Sequence, residues 1–327
     1  MPDLNGSSIL VIGGAGFIGS HIVDELTKED VSQIIVYDNF CRGSKENLES
    51  ALKDPRVKIY DVGGDILQID ILNSAIKKCD YVIHLAALWL LQCYDYPHAA
   101  FEVNIKGMFN VLEACRDNKI KRLIFSSSAS VYGDAIQIPM TEEHPFNNRT
   151  FYGATKIAGE AMCRAFNDRY GLPYVGLRYM NVYGPRQDYR GTYITVIMKI
   201  LDRIDQGLPP ILFGDGTQSY DFIFVKDTAK ANILALKANT VDQFYNIGSG
   251  KQISIKSLCQ ILMELTKCTL PIQYEPEGKT FVTNRIGSTE KAEKELGFKA
   301  ETPLIEGLQQ LIEWRKEHKK TRVIPTI

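Results

Sequence analysis

Short apolar runs alternate with stretches of helical periodicity through the first half of the chain. Ser8–Ile12, Gln33–Tyr37, Val57–Tyr60, Tyr81–Leu85, Arg122–Ser126 and Tyr174–Leu177 are rich in Val, Ile, Leu or aromatic residues. Each is bounded by polar or glycine positions and reads as a strand. The segments between them are mostly long enough for crossover helices. Repeated strand–helix units imply a parallel sheet covered on both faces. Right-handed crossovers make such a sheet doubly wound, and its ligands bind beyond the C-terminal strand ends, where the strand order reverses.

After about residue 180 the texture changes. Helical stretches at Thr192–Gln206, Asp227–Ala238, Ser254–Leu265 and Pro303–Arg315 are separated by short strands at Ile211–Phe213, Phe222–Val225 and Phe244–Asn246. The expected fold class is α/β: a doubly wound parallel sheet over 1–180, then a smaller α/β C-terminal lobe over 181–327 with returns to the main domain near 215–250. No repeat, low-complexity tract or long linker interrupts the chain.

Composition narrows the partners. The 327 residues are 45% hydrophobic and 24% charged, with a net charge of -1, enough apolar material for a real core and no bias towards nucleic acid or an anionic membrane. The basic run Arg315, Lys316, Lys319, Lys320 and Arg322 reads as a solvated helix end. No apolar stretch reaches the ~18 residues of a membrane span, and the apolar run after Asp3 passes straight into glycines, as a first strand does and a secretory signal does not. Seven scattered cysteines without a C-x-x-C pair fit free thiols in a reducing cytoplasm. The five histidines lack H-x-x-x-H spacing, so no metal is expected.

The strand Ser8–Ile12 runs into Gly13-Gly14-Ala15-Gly16-Phe17-Ile18-Gly19, and a helical pattern with Ile22, Val23 and Leu26 on one face follows. Glycines there allow a tight turn, close approach of backbone to a pyrophosphate and close helix–strand packing. The helix N-terminus offers free N–H groups to phosphate. Asp38, with Asn39, ends the second strand, where a carboxylate accepts from adenosine ribose hydroxyls and repels a 2′-phosphate. NAD is therefore preferred over NADP, against the presence of Arg42 nearby. Asp65-Ile66 is a candidate adenine contact, and Leu85-Ala86-Ala87 after His84 lets a dinucleotide pass close to the backbone or simply makes a tight junction.

Tyr152 and Lys156 stand four apart ahead of a strongly helical pattern, on one helix face. A neighbouring ammonium is expected to lower the tyrosine pKa towards working pH, so that the phenol exchanges a proton with a substrate hydroxyl. The bland reading is a packed tyrosine beside a solvated lysine. Ser128, in Ser126–Gly133 at the end of the fifth strand, is the chosen partner for the reacting oxygen. Ser127 and Ser130 are alternatives, and a serine-rich strand end also satisfies loop backbone.

Gly13–Gly19, Asp38, Asp65-Ile66, His84–Ala87, Asn104, Ser126–Gly133, Tyr152/Lys156, Arg178–Pro185 and Gly214–Asp227 stand in the order found in the extended short-chain dehydrogenase/reductase family. The chain resembles its NAD-dependent epimerase/dehydratase group nearly end to end, most of all the UDP-glucose 4-epimerase branch. The resemblance implies a Rossmann domain with further cofactor contacts at Asn104, Ser126 and Tyr179. It also implies a chemistry in which hydride leaves sugar C4 for tightly held NAD+ while Tyr152, assisted by Ser128 and Lys156, removes the O4 proton. The 4-keto sugar turns over and receives the hydride on its other face. A related 4,6-dehydratase needs an Asp-Glu pair where this chain has Ala129 and Ser130, and neither can exchange that proton. A sugar-nucleotide 4-oxidase or reductase, and a non-catalytic NAD-binding regulator, are the competing readings.

The same resemblance places Asn181 at the substrate phosphates, Thr195–Lys199 and Ile211–Phe213 around a uracil, and Ser130 at the sugar. Where relatives carry a diphosphate-gripping arginine before Asp221-Phe222, this chain has Tyr220, and a phenol cannot replace a bidentate guanidinium. Arg285, Arg186 and Arg190 are candidates for the missing charge. Trp89-Leu90-Leu91-Gln92-Cys93-Tyr94 either lines the sugar pocket or packs into the core. Helices expected at Tyr96–Asn118 and Tyr152–Tyr170 pair with a second copy in relatives, so a homodimer is expected.

Overall fold

A computed structural model describes residues 3–188, 194–277 and 282–320. Its centre is a seven-stranded parallel sheet: β1 (Ser8–Ile12), β2 (Gln33–Tyr37), β3 (Val57–Ile59), β4 (Tyr81–His84), β5 (Arg122–Ser128), β6 (Tyr174–Tyr179) and β7 (Gln243–Ile247), in spatial order β7-β6-β5-β4-β1-β2-β3. The strands read as unbroken apolar runs because both faces are covered. Along β1, Ile9 and Val11 enter one core cluster and Leu10 and Ile12 the other, all at 0% exposure. Burial at this level stabilises by roughly 1.5–3 kcal/mol per large aliphatic side chain. Neighbours β2 and β4 flank β1 on opposite sides, so the order reverses there and a crevice opens over its C-terminal end.

A smaller set of elements sits beyond this crevice. Asn181–Tyr183 pairs parallel with Phe222–Phe224; Ser219–Tyr220 lies between Ile253–Ser254 and Asn284–Arg285; Ile211–Phe213 pairs with Gln273–Glu275. Helices Val196–Asp205, Ile255–Thr266 and Leu304–Lys320 enclose a third core around Ile197, Leu201, Leu258 and Leu308.

The short strand expected at Phe244–Asn246, within the stretch 215–250 expected to return to the main domain, is β7, hydrogen-bonded to β6 at the sheet's edge. The helix expected from Thr192 begins at Val196, with Thr195 before it, and residues 192–193 lie outside the described ones. The helix expected over Tyr96–Asn118 runs from Pro97 to Asp117, through Pro97–Ala100, a π-helical stretch Phe101–Lys106 and Gly107–Asp117, and a separate short helix, Leu90–Asp95, precedes it across a break at Tyr96. Pro97 forces the break, because the residue before a proline avoids the helical region; Tyr96 has φ -129 and ψ 64. Among the described residues no helix is long and apolar enough to cross a membrane.

Candidate active site

The glycine loop is shaped by contact with the β4 end. Gly13 has φ +81, and a Cβ there would stand 2.9 Å from the Ala86 amide nitrogen. A Cβ on Gly19 would collide with the Gly13 carbonyl oxygen. The helix Phe17–Leu26 starts at Gly16 with no side chain capping it, so a backbone cradle faces the crevice. Asp38 stands at its rim, buried, its Oδ2 accepting from the Ala15 amide (2.9 Å) and its Oδ1 from the Phe40 amide (2.8 Å). Burial pushes its pKa up, against the pull of those two amides. The carboxylate therefore braces the glycine loop. Asn47 donates to the Ala15 carbonyl (2.9 Å) from the 3₁₀ turn Lys45–Leu48; nothing in its local sequence marks it.

The glycine loop, Leu85, Ala87 and the side chains of Tyr152, Lys156 and Tyr179 line one cleft of about 350 Å³. Its walls include Thr195 and also Trp89, whose ring lies 5.3 Å from the Arg42 guanidinium. Arg42 in turn pairs with Asp188 at 3.1 Å. The cleft fits a dinucleotide: its cradle is one that an added Cβ at Gly13 or Gly19 would fill.

Helix Phe151–Tyr170 is capped by Thr150, whose Oγ1 accepts from the Gly153 amide (3.1 Å). This places Tyr152 in the first turn and Lys156 one turn on. Lys156 donates to the Ser126 carbonyl at 2.7 Å, with Nζ 5.7 Å from the centre of the Tyr152 ring. Burial lowers its pKa to about 8. The Tyr152 phenol goes the other way, to about 12: burial dominates, the Cys93 thiol adds to it, and a hydrogen bond with the Ser128 hydroxyl and the charge of Arg285 oppose it. The expected depression by Lys156 is thus not found. The ammonium has turned to a backbone oxygen, and removal of water from the phenol outweighs the remaining help.

The floor beneath these groups is a buried polar network. Arg178 makes a bidentate pair with Glu160 (2.9 and 2.7 Å) and reaches the Tyr132 hydroxyl (2.7 Å). Glu160 also accepts from Ser127 (2.6 Å), which makes Ser127 structural. Tyr179 bonds Ser126 (3.0 Å) and Asn232 (2.9 Å). His84, buried at the β4 end, is held neutral, its pKa lowered to about 3 by burial and by the charge of Lys156.

Several expected contacts are committed elsewhere. Asn104 clamps the Leu88 backbone through both its oxygen (2.7 Å) and nitrogen (2.8 Å) and touches Thr155 (3.2 Å); it holds the post-β4 loop against the Tyr152 helix. Ile66 is core, and Asp65 caps the Leu67 amide (2.9 Å). Asn39 accepts from the Cys41 amide (3.1 Å). Asn181 donates to the Asp221 carbonyl (3.2 Å), and the Tyr220 hydroxyl to the Val282 carbonyl (2.7 Å). Ser128 accepts from the amide of Ser130, which is buried. Lys199 is exposed on its helix and Phe213 is half-exposed on its strand. Arg186 pairs with Asp24 (2.7 Å). Arg190 lies outside the described residues.

A cleft lined by the glycine loop together with Tyr152 and Lys156 defines a nucleotide-cofactor enzyme of the doubly wound class. Comparison with known proteins carries this further. The model of the NAD dependent epimerase/dehydratase family matches residues 9–248, and the chain belongs to that family. It is 32% identical over 332 residues to the UDP-glucose 4-epimerase of Halalkalibacterium halodurans, covering 95% of this chain and 96% of that one. A solved UDP-N-acetylglucosamine 4-epimerase from Methanobrevibacter ruminantium, in complex with UDP-N-acetylmuramic acid, superposes with a TM-score of 0.89 at 34% identity, covering 97% of this chain and 100% of the other. The UDP-glucose 4-epimerase of Thermotoga maritima with UDP-glucose gives a TM-score of 0.88 at 32% identity, over 95% and 99%.

Proposed function

We propose that the chain is an NAD-dependent 4-epimerase of sugar nucleotides, acting on a UDP-linked hexose or N-acetylhexosamine through a transient 4-keto sugar. The observation that carries this reading is the opening of Tyr152 and Lys156 into the same cleft as the glycine loop. Gly13, Gly16, Phe17, Ile18 and Gly19 would hold the pyrophosphate of NAD, with Asp38 at the ribose. NAD bound there would supply reversible hydride transfer.

The protein's own residues handle the proton and the geometry. Ser128 fixes the reacting oxygen beside Tyr152, and the Tyr152 phenolate takes the O4 proton and returns it. Lys156 holds Ser126 and, as an ammonium, favours the ionised phenol. Asn181, Thr195, Lys199, Phe213, Tyr220, Ser130 and Arg285 form the candidate nucleotide-sugar side. The turn after β5, Ala129–Val131, carries no carboxylate, which disfavours elimination of water. The test is product mass: incubation with UDP-hexoses and no added oxidant should yield an isomer of unchanged mass. A product lighter by two hydrogens would instead mean a released 4-ketone.

The finer assembly reading is a homodimer through Leu90–Asp117 and Phe151–Tyr170. Aromatic residues Tyr94, Tyr96, Phe101, Phe109 and Phe151 on these elements are all exposed, an apolar excess of the kind that marks interaction surfaces. Light scattering of the purified protein tests it. Seven free cysteines support a cytoplasmic location, which cell fractionation checks.

A further inference from the structure

Three loops from different parts of the fold send side chains to one place over the glycine loop. β2 and β4 lie on opposite sides of β1. Arg42 stands on the loop that leaves β2, and Trp89 on the loop that leaves β4. The Arg42 guanidinium lies over the Trp89 ring, 5.3 Å from its centre, so this contact passes across the C-terminal end of β1. From the smaller lobe Asp188, just beyond the strand Asn181–Tyr183, closes an ion pair with the same guanidinium at 3.1 Å. All three residues line the cleft of the glycine loop, Tyr152 and Lys156.

Each contributor is pinned at its base. Beside Arg42, the Ser44 amide donates to the Ala15 carbonyl (3.1 Å), and a Cβ on Gly43 would stand 2.8 Å from the Ala15 carbonyl carbon, so this loop rests directly on the glycine loop. Trp89 heads the short helix Leu90–Asp95, next to the Leu88 backbone that Asn104 holds. Ahead of Asp188, the Pro185 carbonyl accepts from His21 Nε2 (3.0 Å), Arg186 pairs with Asp24 (2.7 Å), and Gln187 Nε2 donates to the Thr195 hydroxyl (3.2 Å). The bases are fixed, but the links between the tips are not. The Arg42 and Asp188 side chains are 33% and 40% exposed, and an ion pair so placed is weak and opens readily.

We propose that Arg42, Trp89 and Asp188 form a strap over the middle of the bound dinucleotide and set how fast it enters and leaves. With adenosine on the β2 side and nicotinamide on the far side at Tyr152, the pyrophosphate between them runs over the end of β1, under the Arg42–Trp89 contact. Leaving the cleft requires that contact and the ion pair to part. The links of the strap run between protein side chains and not to the cofactor, so the strap slows entry and release together and leaves the equilibrium affinity nearly unchanged. A 4-epimerase must return to the sugar the hydride it has taken, and a reduced cofactor lost between the two transfers would strand the ketone; slow release serves that cycle. The strap itself rests only on the cleft as the site of NAD and stands apart from the choice of sugar.

The experiment follows exchange of the cofactor bound in the holoenzyme for isotopically labelled NAD, by mass spectrometry, and measures affinity by equilibrium dialysis against the same label. Arg42→Gln severs both links and should quicken exchange by ~10-fold. Asp188→Asn severs only the ion pair and should quicken it by ~3-fold. The double variant should match Arg42→Gln alone, and in all three the Kd for NAD should stay within about 2-fold of wild type. Melting curves establish that the variants fold. Wild-type exchange in Asp188→Asn overturns the proposal. So does slower exchange in that variant, which would mean that Asp188 competes with the pyrophosphate for Arg42. A Kd weakened in step with exchange in Arg42→Gln also overturns it and makes Arg42 a direct cofactor contact. A wild type that binds no NAD removes the cofactor cleft and the strap together.

Discussion

Lys156 spends its ammonium on the carbonyl oxygen of Ser126, at 2.7 Å, and not on the phenol of Tyr152 one helical turn away. The lysine is buried, and that burial lowers its pKa from 10.5 to about 8. At pH 7 it is charged in the interior, at a cost on the order of 3 kcal/mol. Lys156→Met should therefore lose at least ~100-fold in turnover while gaining roughly 1–3 kcal/mol of stability at pH 7, part of the gain being cancelled by the abandoned Ser126 carbonyl. The sign is fixed by linkage. The folded-state pKa lies below the unfolded one, so the wild-type penalty is full below about pH 8 and fades as pH rises towards 10.5. Urea denaturation of both proteins at pH 7 and pH 9.5 should show the gap closing. A constant gap would mean that the folded-state pKa of the lysine is not lowered.

The Tyr152 phenol, held near 12, is a poor base until something in the complex favours its anion. Tyr152→Phe removes the proton-transfer group but no contact that shapes the glycine loop. Turnover should fall by ~1000-fold or more with KM for the sugar nucleotide changed by less than ~10-fold. NAD should remain bound, as measured by nucleotide released on acid denaturation. Wild-type-like turnover would remove the phenol from the chemistry.

How far the sequence reveals this site depends on whether a signal is local. The boundaries of β1 are legible because an apolar run meets glycines, and the Tyr152/Lys156 pair because a spacing of four survives in any helix. What Lys156 touches is not legible: its partner is a backbone oxygen on another element, and carbonyls carry no residue code. The start of the helix after Tyr96 is legible from Pro97, whereas the π-helical stretch Phe101–Lys106 inside it carries no local signal.

Asn104 illustrates a residue whose role moved. Both ends of its amide hold the Leu88 backbone, and Thr155 in the Tyr152 helix completes its bonding. Asn104→Ala would leave the Leu88 N–H unpaired and its C=O with only the weak Cys93 thiol donor (3.2 Å), at about 1–3 kcal/mol, and loosen the loop that carries Trp89 and Cys93. A melting temperature lower by several degrees is expected, with kcat reduced more than NAD affinity. Asn104→Asp should restore the Leu88 amide contact but not the carbonyl one, and recover only part of the loss. A selective loss of NAD binding with unchanged stability would mean direct cofactor contact instead.

Gly19 offers the cleanest separation of cofactor binding from folding elsewhere. Its backbone is ordinary helix, so alanine there carries no conformational penalty of its own, and helix propensity even favours it. The obstacle is the Gly13 carbonyl oxygen, which an added methyl would strike, with the Gly14 Cα at 2.8 Å behind it. Both are backbone atoms of the cradle and cannot rotate away. The loop must shift, and a shift moves Gly13 off Ala86 and Ala15 off Asp38. Gly19→Ala should therefore purify largely free of NAD, with affinity for added NAD weaker by ~100-fold or more, while the β4–β7 side of the sheet keeps its hydrogen-exchange protection. Titration by cofactor fluorescence and exchange mass spectrometry read the two effects separately. Full retention of NAD by this variant would place the dinucleotide somewhere other than the glycine loop.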